Sequence, residues 1–141
     1  MSVEIESVSS FFKKVNSFKQ EKRRIDYFNK NLTAAAKTIL VGNFNPKIDL
    51  KMPSGAPPYE PNEDAEHNEK LYEKMGRFMP SGQHQWAREK MFIDFLQSVP
   101  PEDAKVIIAH KDKKLTEMYP NINKEFISKV CPEVLGWIYL Y

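Results

Sequence analysis

Residues 8–18 read VSSFFKKVNSF, and residues 31–43 read NLTAAAKTILVGN. In the first stretch Val8, Phe11, Phe12, Val15 and Phe18 recur at i, i+3, i+4, i+7 and i+10, which puts five apolar side chains on one helical face. In the second, Asn31 stands where a helix N-cap is expected. Leu32, Ala35, Ala36, Ile39 and Leu40 then form a stripe in an alanine-rich run of high helix propensity. Gly42 and Asn43 predict its end. Two helical periods this close to the start of a chain point to an all-α fold.

The rest of the chain extends that reading. Ser17 is placed to cap a short, basic helix ending near Tyr27 and Phe28. The run at 43–61, NFNPKIDLKMPSGAPPYEP, holds five prolines and one glycine. It predicts an ordered surface loop at 44–61, pinned by Phe44, Ile48, Leu50, Met52 and Tyr59, with a short extended piece at Ile48–Met52. Asn62 then caps an acidic first turn of Glu63, Asp64 and Glu66, ahead of an apolar face of Leu71, Met75, Phe78 and Met79. Pro80, Ser81 and Gly82 interrupt. A further helix begins near Gln83 and shows Met91, Phe92, Phe95 and Leu96. Pro101 suits a first helical turn, with Val106, Ile107 and Leu115 pointing inward. The last helix carries Ile122, Phe126, Ile127 and Val130 and stops before Pro132. The expectation is one all-α domain of six or seven helices: basic amphipathic helices at 1–30, a core at 31–135 and an apolar tail at 136–141.

A chain of 141 residues with 41% apolar and 12% aromatic residues is large enough to bury a core without a covalent staple. Cys131 is the single cysteine, so an internal disulfide is excluded and a reducing compartment is expected. Glu4 and Glu6 stand where a secretory leader would be basic. No apolar run reaches the ~20 residues of a membrane span. An intracellular protein without membrane contact is predicted. The formal net charge of +2 conceals a gradient: residues 1–48 carry a net of +5 and residues 49–80 a net of −3. The excess lies at Lys13, Lys14, Lys19, Lys22, Arg23 and Arg24, a composition that attracts polyanions or simply solvates a helix face.

Catalytic templates find little support. His67, His84 and His110 show no metal-ligand spacing, and no cysteine pair exists, so no metal or cofactor is expected. Cys131 ends an apolar helical stripe, which suits a core position better than a nucleophile. Gly55 and Gly82 stand alone rather than in a phosphate loop. The carboxylates Glu60, Glu63, Asp64, Glu66 and Glu69 read as a solvated helix start. Two features remain. In HKDKKL, residues 110–115, Lys111, Lys113 and Lys114 either complement a helix C-terminus or contact phosphate from an exposed turn. The tail Trp137, Ile138, Tyr139, Leu140 and Tyr141 either folds back on the core or docks in a partner's groove.

The runs NLTAAAKTILVGNFNPKIDLKMPSGAPPYEP (31–61), WAREKMFIDFLQSVPPEDAKVIIAHKDKKL (86–115) and INKEFISKVCPEVL (122–135) resemble a family of uncharacterised small proteins of tailed phages with T-even-like genomes. A more distant resemblance is to the N-terminal helical DNA-binding domain of phage-type ATP-dependent DNA ligases. It rests on Ala34–Leu40, Pro101–Ala109, Lys113–Leu115 and Phe126–Leu135. In those ligases the basic turn touches the DNA backbone, so the resemblance implies Lys111, Lys113 and Lys114 as phosphate contacts. The chain departs from the ligase pattern at the turn, where TEMYPNIN (116–123) lacks the usual glycine. The Lys-x-Asp-Gly motif of the ligase catalytic core is absent as well.

Val8, Phe11 and Phe12 also match the spacing of a sliding-clamp-binding peptide, with Ile5 in place of its glutamine. These readings predict a non-enzymatic phage protein in the host cytoplasm, binding DNA without sequence preference. Its contacts would be Lys111, Lys113 and Lys114, with Lys22, Arg23 and Arg24 on a second surface. The alternative is an interaction or assembly factor, virion association included. It would meet a clamp, polymerase or other phage or host protein through Val8, Phe11, Phe12, Trp137, Ile138, Tyr139 and Tyr141.

Overall fold

Helix α1 (Val8–Ser17) forms where the aromatic stripe predicts it. The Ser7 side chain accepts from the Ser10 amide at its N-terminus. In the computed structural model residues 6–78 and 84–136 are described, the side chains of 76–78 excepted. α2 spans Glu21–Asn31, α3 Ala34–Phe44, α4 Gln85–Leu96, α5 Pro101–Lys111, α6 Leu115–Met118 and α7 Lys124–Val130. Two 3-10 helices, Glu69–Phe78 and Pro132–Leu135, complete the described elements, among which no strand occurs. The fold is all-α and forms one domain. α3 is its axis, packed by α1, α5 and both 3-10 helices, while α1 also lies on α2 and α5.

One continuous core gathers Val8, Phe11, Phe12 and Val15 from α1 with Phe28, Ile39, Leu40, Phe92, Leu96, Ile107, Leu115 and Ile127. The expected clamp-peptide residues Val8, Phe11 and Phe12 are therefore corrected to core positions, fully buried at 0% exposure. Their spacing serves burial of the helix itself. The Trp137, Ile138, Tyr139 and Tyr141 expectation lies outside the described residues, as does Met79.

Several expected boundaries move, each for a local reason. Ser17 bonds back to the Lys14 carbonyl at 2.7 Å and stays inside α1, so α2 starts after Gln20. Asn31 bonds back to the Tyr27 carbonyl at 3.0 Å and ends α2; Thr33 caps α3 instead. The acidic helix start at Asn62 does not form. Asn62 Oδ1 accepts from the Asp64 amide at 3.1 Å in an Asx turn, and helical structure begins only at Glu69. The loop at 45–68 is held by Leu50, which is buried, and by half-buried Phe44, Met52 and Tyr59.

Gly42 does not stop α3, which continues to Phe44. Its role is space: a Cβ there would lie 2.5 Å from His110 Cδ2 and 2.8 Å from Nε2. His110 is buried and its Nδ1 donates to the Ile107 carbonyl at 2.5 Å. Burial pushes its imidazole down to about 4 from 6.5, so the native ring is neutral. The unfolded chain takes up this proton below its ordinary value and the native one does not, so the contribution to stability is present above about pH 6.5 and lost as pH falls toward 4. Unfolding free energy is expected to drop by about 2 kcal/mol from this group between about pH 7.5 and pH 5. Ring carbon shifts followed by NMR should keep His110 neutral over that range; titration near 6.5 in the native state would contradict this.

Candidate functional site

The basic turn closes α5. The Lys114 amide reaches back to the Ala109 carbonyl at 2.8 Å, and the Lys113 amide to the His110 carbonyl at 3.0 Å. This winding needs a left-handed residue, and Lys113 supplies it at φ 58°, a position glycine usually fills. Its ammonium donates to the Gly42 and Asn45 carbonyls at 3.0 Å each, capping the end of α3, and burial lowers its pKa. Lys111 turns the other way. Its Nζ donates to the Pro53 carbonyl at 2.8 Å and to Asp112 Oδ1 at 2.6 Å, with the side chain only 2% exposed. The three-lysine phosphate contact is therefore reduced by its own packing: the Lys111 and Lys113 ammonium groups fasten the loop and α3, while the exposed Lys114 makes no ion pair among the described residues. Asn43 completes the junction, accepting the Leu115 amide at 3.0 Å.

The second predicted surface is more open. α1 and α2 form a hairpin around Phe11, Phe18, Tyr27 and Phe28, with ring centroids 5.5 Å apart for Phe11–Phe28 and 5.6 Å for Phe18–Tyr27. Outside it, Lys13, Lys19, Lys22 and Lys30 are exposed and make no ion pair among the described residues. The Arg23 guanidinium lies 4.7 Å from the Phe18 ring centroid. Arg24 donates to the Phe18 and Lys19 carbonyls at 2.7 and 3.0 Å, closing α1. Lys14 pairs with Glu6 at 3.1 Å and Lys129 with Glu21 at 2.8 Å. The hairpin thus presents exposed cations that make no ion pair among the described residues, with the exposed carboxylate of Asp26 between Lys22 and Lys30 on α2.

Sequence reasoning missed an interior polar cluster. Asp103, in the first turn of α5, is 0% exposed; its Oδ1 accepts from the Ser9 amide at 3.1 Å and from Ser9 Oγ. Glu69 Oε2 accepts from the Ala35 amide at 3.1 Å. Each carboxylate so satisfies an orphan N–H in the first turn of a helix that is not its own, α1 and α3 respectively. His67 stands between them, its Nε2 at 2.8 Å from Glu69 Oε1 and its Nδ1 at 3.7 Å from Asp103 Oδ2. Tyr72 lies beside it, with ring centroids 5.7 Å apart, and burial pushes its hydroxyl pKa up. Three buried polar atoms here lack a hydrogen-bond partner among the described residues: His67 Nδ1, Tyr72 Oη and Asp103 Oδ2. The cluster ties helix starts together, and the bonds that define it join residues 34 and 94 apart in sequence.

Cys131 is buried, and burial raises its thiol to about 12, which suits a core thiol. No group of three or more His, Cys, Asp or Glu among the described residues is arranged to hold a metal ion. No helix among them is long and apolar enough to cross a membrane. One exposed aromatic escaped the sequence reading: Trp86 at the start of α4 is 68% exposed, with His84 stacked beside it at 6.4 Å. Among known proteins, the model of a family of unknown function, DUF6433, matches residues 11–117. No curated protein and no solved structure matches the chain.

Proposed function

The chain belongs to DUF6433, a family of unknown function, and from that starting point we propose that it is a non-catalytic protein that associates with nucleic acid. The α1–α2 hairpin is the binding face. Exposed Lys13, Lys19, Lys22 and Lys30, free of ion pairs among the described residues, are the observation that carries this reading. Arg23 and Lys114 add charge at the surface, whereas Lys111 and Lys113 act in folding. Such a face neutralises backbone phosphates without reading bases, so binding is sequence-independent. The resemblance to phage proteins and to the ligase DNA-binding domain points the same way.

The test is fluorescence anisotropy with labelled duplex, nicked and single-stranded DNA. Neutralising four phosphates predicts that affinity falls by roughly a hundredfold between about 50 and 200 mM salt. No binding at the lower salt sinks the reading. A second reading, a protein-interaction or assembly factor, is favoured by Trp86, because an exposed tryptophan is a common interface anchor. A specific partner lost on Trp86→Ala, in a protein that does not bind DNA, would select it.

A further inference from the structure

The proline-rich loop forms a strap over α4 and α5, tied at its far end by the Glu60 amide and the Asn62 side chain to Gln97 and over the cavity by three more bonds. Arg88 Nη1 donates to the Leu50 carbonyl at 2.8 Å, Lys111 Nζ to the Pro53 carbonyl at 2.8 Å, and the Gly55 amide to Asp112 Oδ2 at 2.8 Å. Lys51 and Gly55 take the positive φ values, 51° and 85°, that bend the strap. Beneath it lies a cavity of about 240 Å³. Phe92 and Met52 give it an apolar wall, Pro57 and Pro58 a second, and Glu89 and Lys111 are its charged members.

The polar lining is lopsided. Pro53, Pro57 and Pro58 carry no amide N–H. The Gly55 amide is already spent on Asp112. Lys111, the lining's cation, is neutralised by Asp112 at 2.6 Å. Glu89 makes no hydrogen bond or ion pair among the described residues. What remains is a largely apolar cavity with one unanswered negative charge, its neutral donors being the Ser54 hydroxyl and the Ser54 and Ala56 amides.

We propose that this cavity is a binding site for a small organic cation: a primary ammonium on an apolar, fragment-sized body. Its charge meets the Glu89 carboxylate and its body packs on Phe92, Met52 and the prolines. The volume lies below the range of roughly 300–1,000 Å³ typical of drug-sized sites, which limits the body to about one ring. An anion is disfavoured, because Lys111 in the lining is already paired with Asp112. The site is independent of the hairpin, and its occupancy does not depend on nucleic-acid binding.

Phenethylammonium, 2-phenylethanol and phenylacetate are the probes, followed by NMR at the Met52 methyl and the Gly55 amide. Phenethylammonium is expected to shift both signals saturably, with the neutral alcohol weaker and phenylacetate without effect. Glu89→Gln should weaken phenethylammonium about tenfold, the order expected for one charge-assisted hydrogen bond. Thermal unfolding of the variant should match the parent, because Glu89 holds no other residue in place. No saturable shift at about 10 mM, a concentration well above the weak affinities expected of one-ring ligands, would overturn the proposal. So would equal binding of phenylacetate, or unchanged affinity in Glu89→Gln.

Discussion

Phe11→Ala is expected to cost the fold about 4 kcal/mol, measured by urea unfolding at neutral pH. Phe11 is fully buried and its ring meets Phe12 edge-on at 5.3 Å, Phe28 at 5.5 Å and Tyr27 at 6.1 Å. Truncation removes the transfer energy of a phenyl group. It also leaves a void walled by rings that belong to two helices, neither of which can collapse without moving the other. Domains of this size commonly have only about 5–15 kcal/mol of stability, so a large share would be lost. A side chain kept for a partner's groove would behave differently: its removal would cost under about 1 kcal/mol in the free protein. That small value would return Phe11 to the interaction reading.

Asp103→Ala is the second large effect, at about 3–5 kcal/mol for the loss of two hydrogen bonds to a buried carboxylate. The carboxylate answers two donors on Ser9, and its loss leaves a part-buried α1 amide unsatisfied. It also strips His67 of one of the two carboxylates that flank it. Ser9→Ala removes the hydroxyl and leaves the amide bond, so it should cost about half as much. A double-mutant cycle between the two positions should give a coupling of at least about 1.5 kcal/mol, since they share one charged hydrogen bond. Additive effects, or a cost near zero for Asp103→Ala, would mean that the carboxylate does not tie α1 to α5.

Local signals made much of this fold legible. The aromatic stripe of α1, the alanine run of α3, Pro101 at the start of α5 and Pro132 after α7 each act within a few residues, where sequence spacing is informative. The misplaced boundaries involve side chains with two local options. Ser17 and Asn31 can cap a following helix or bond back to the preceding turn, and both take the second. Asn62 forms a turn where a helix start was expected, because the acids beside it are exposed and offer no apolar face to pack.

The site was harder to read for a different reason. Lysines of one turn look alike in sequence, yet Lys111 and Lys113 bond to carbonyls 58 and 71 residues away, and Lys114 does not. The same distance hides the Glu69–His67–Asp103 cluster, whose members read as scattered charges until three helix starts converge on them. Charge runs report where cations are, and only tertiary contacts report which of them are already used.

The division between used and unused lysines gives the most direct measurement. Lys19→Glu/Lys22→Glu and Lys114→Glu should be titrated with the same labelled duplex at about 50 mM salt, and again at about 200 mM. The hairpin variant is expected to lose affinity at least tenfold and to show a shallower salt slope, by about two units, while Lys114→Glu changes each much less. Affinity unchanged in the hairpin variant, or lost chiefly in Lys114→Glu, would contradict the hairpin as the binding face.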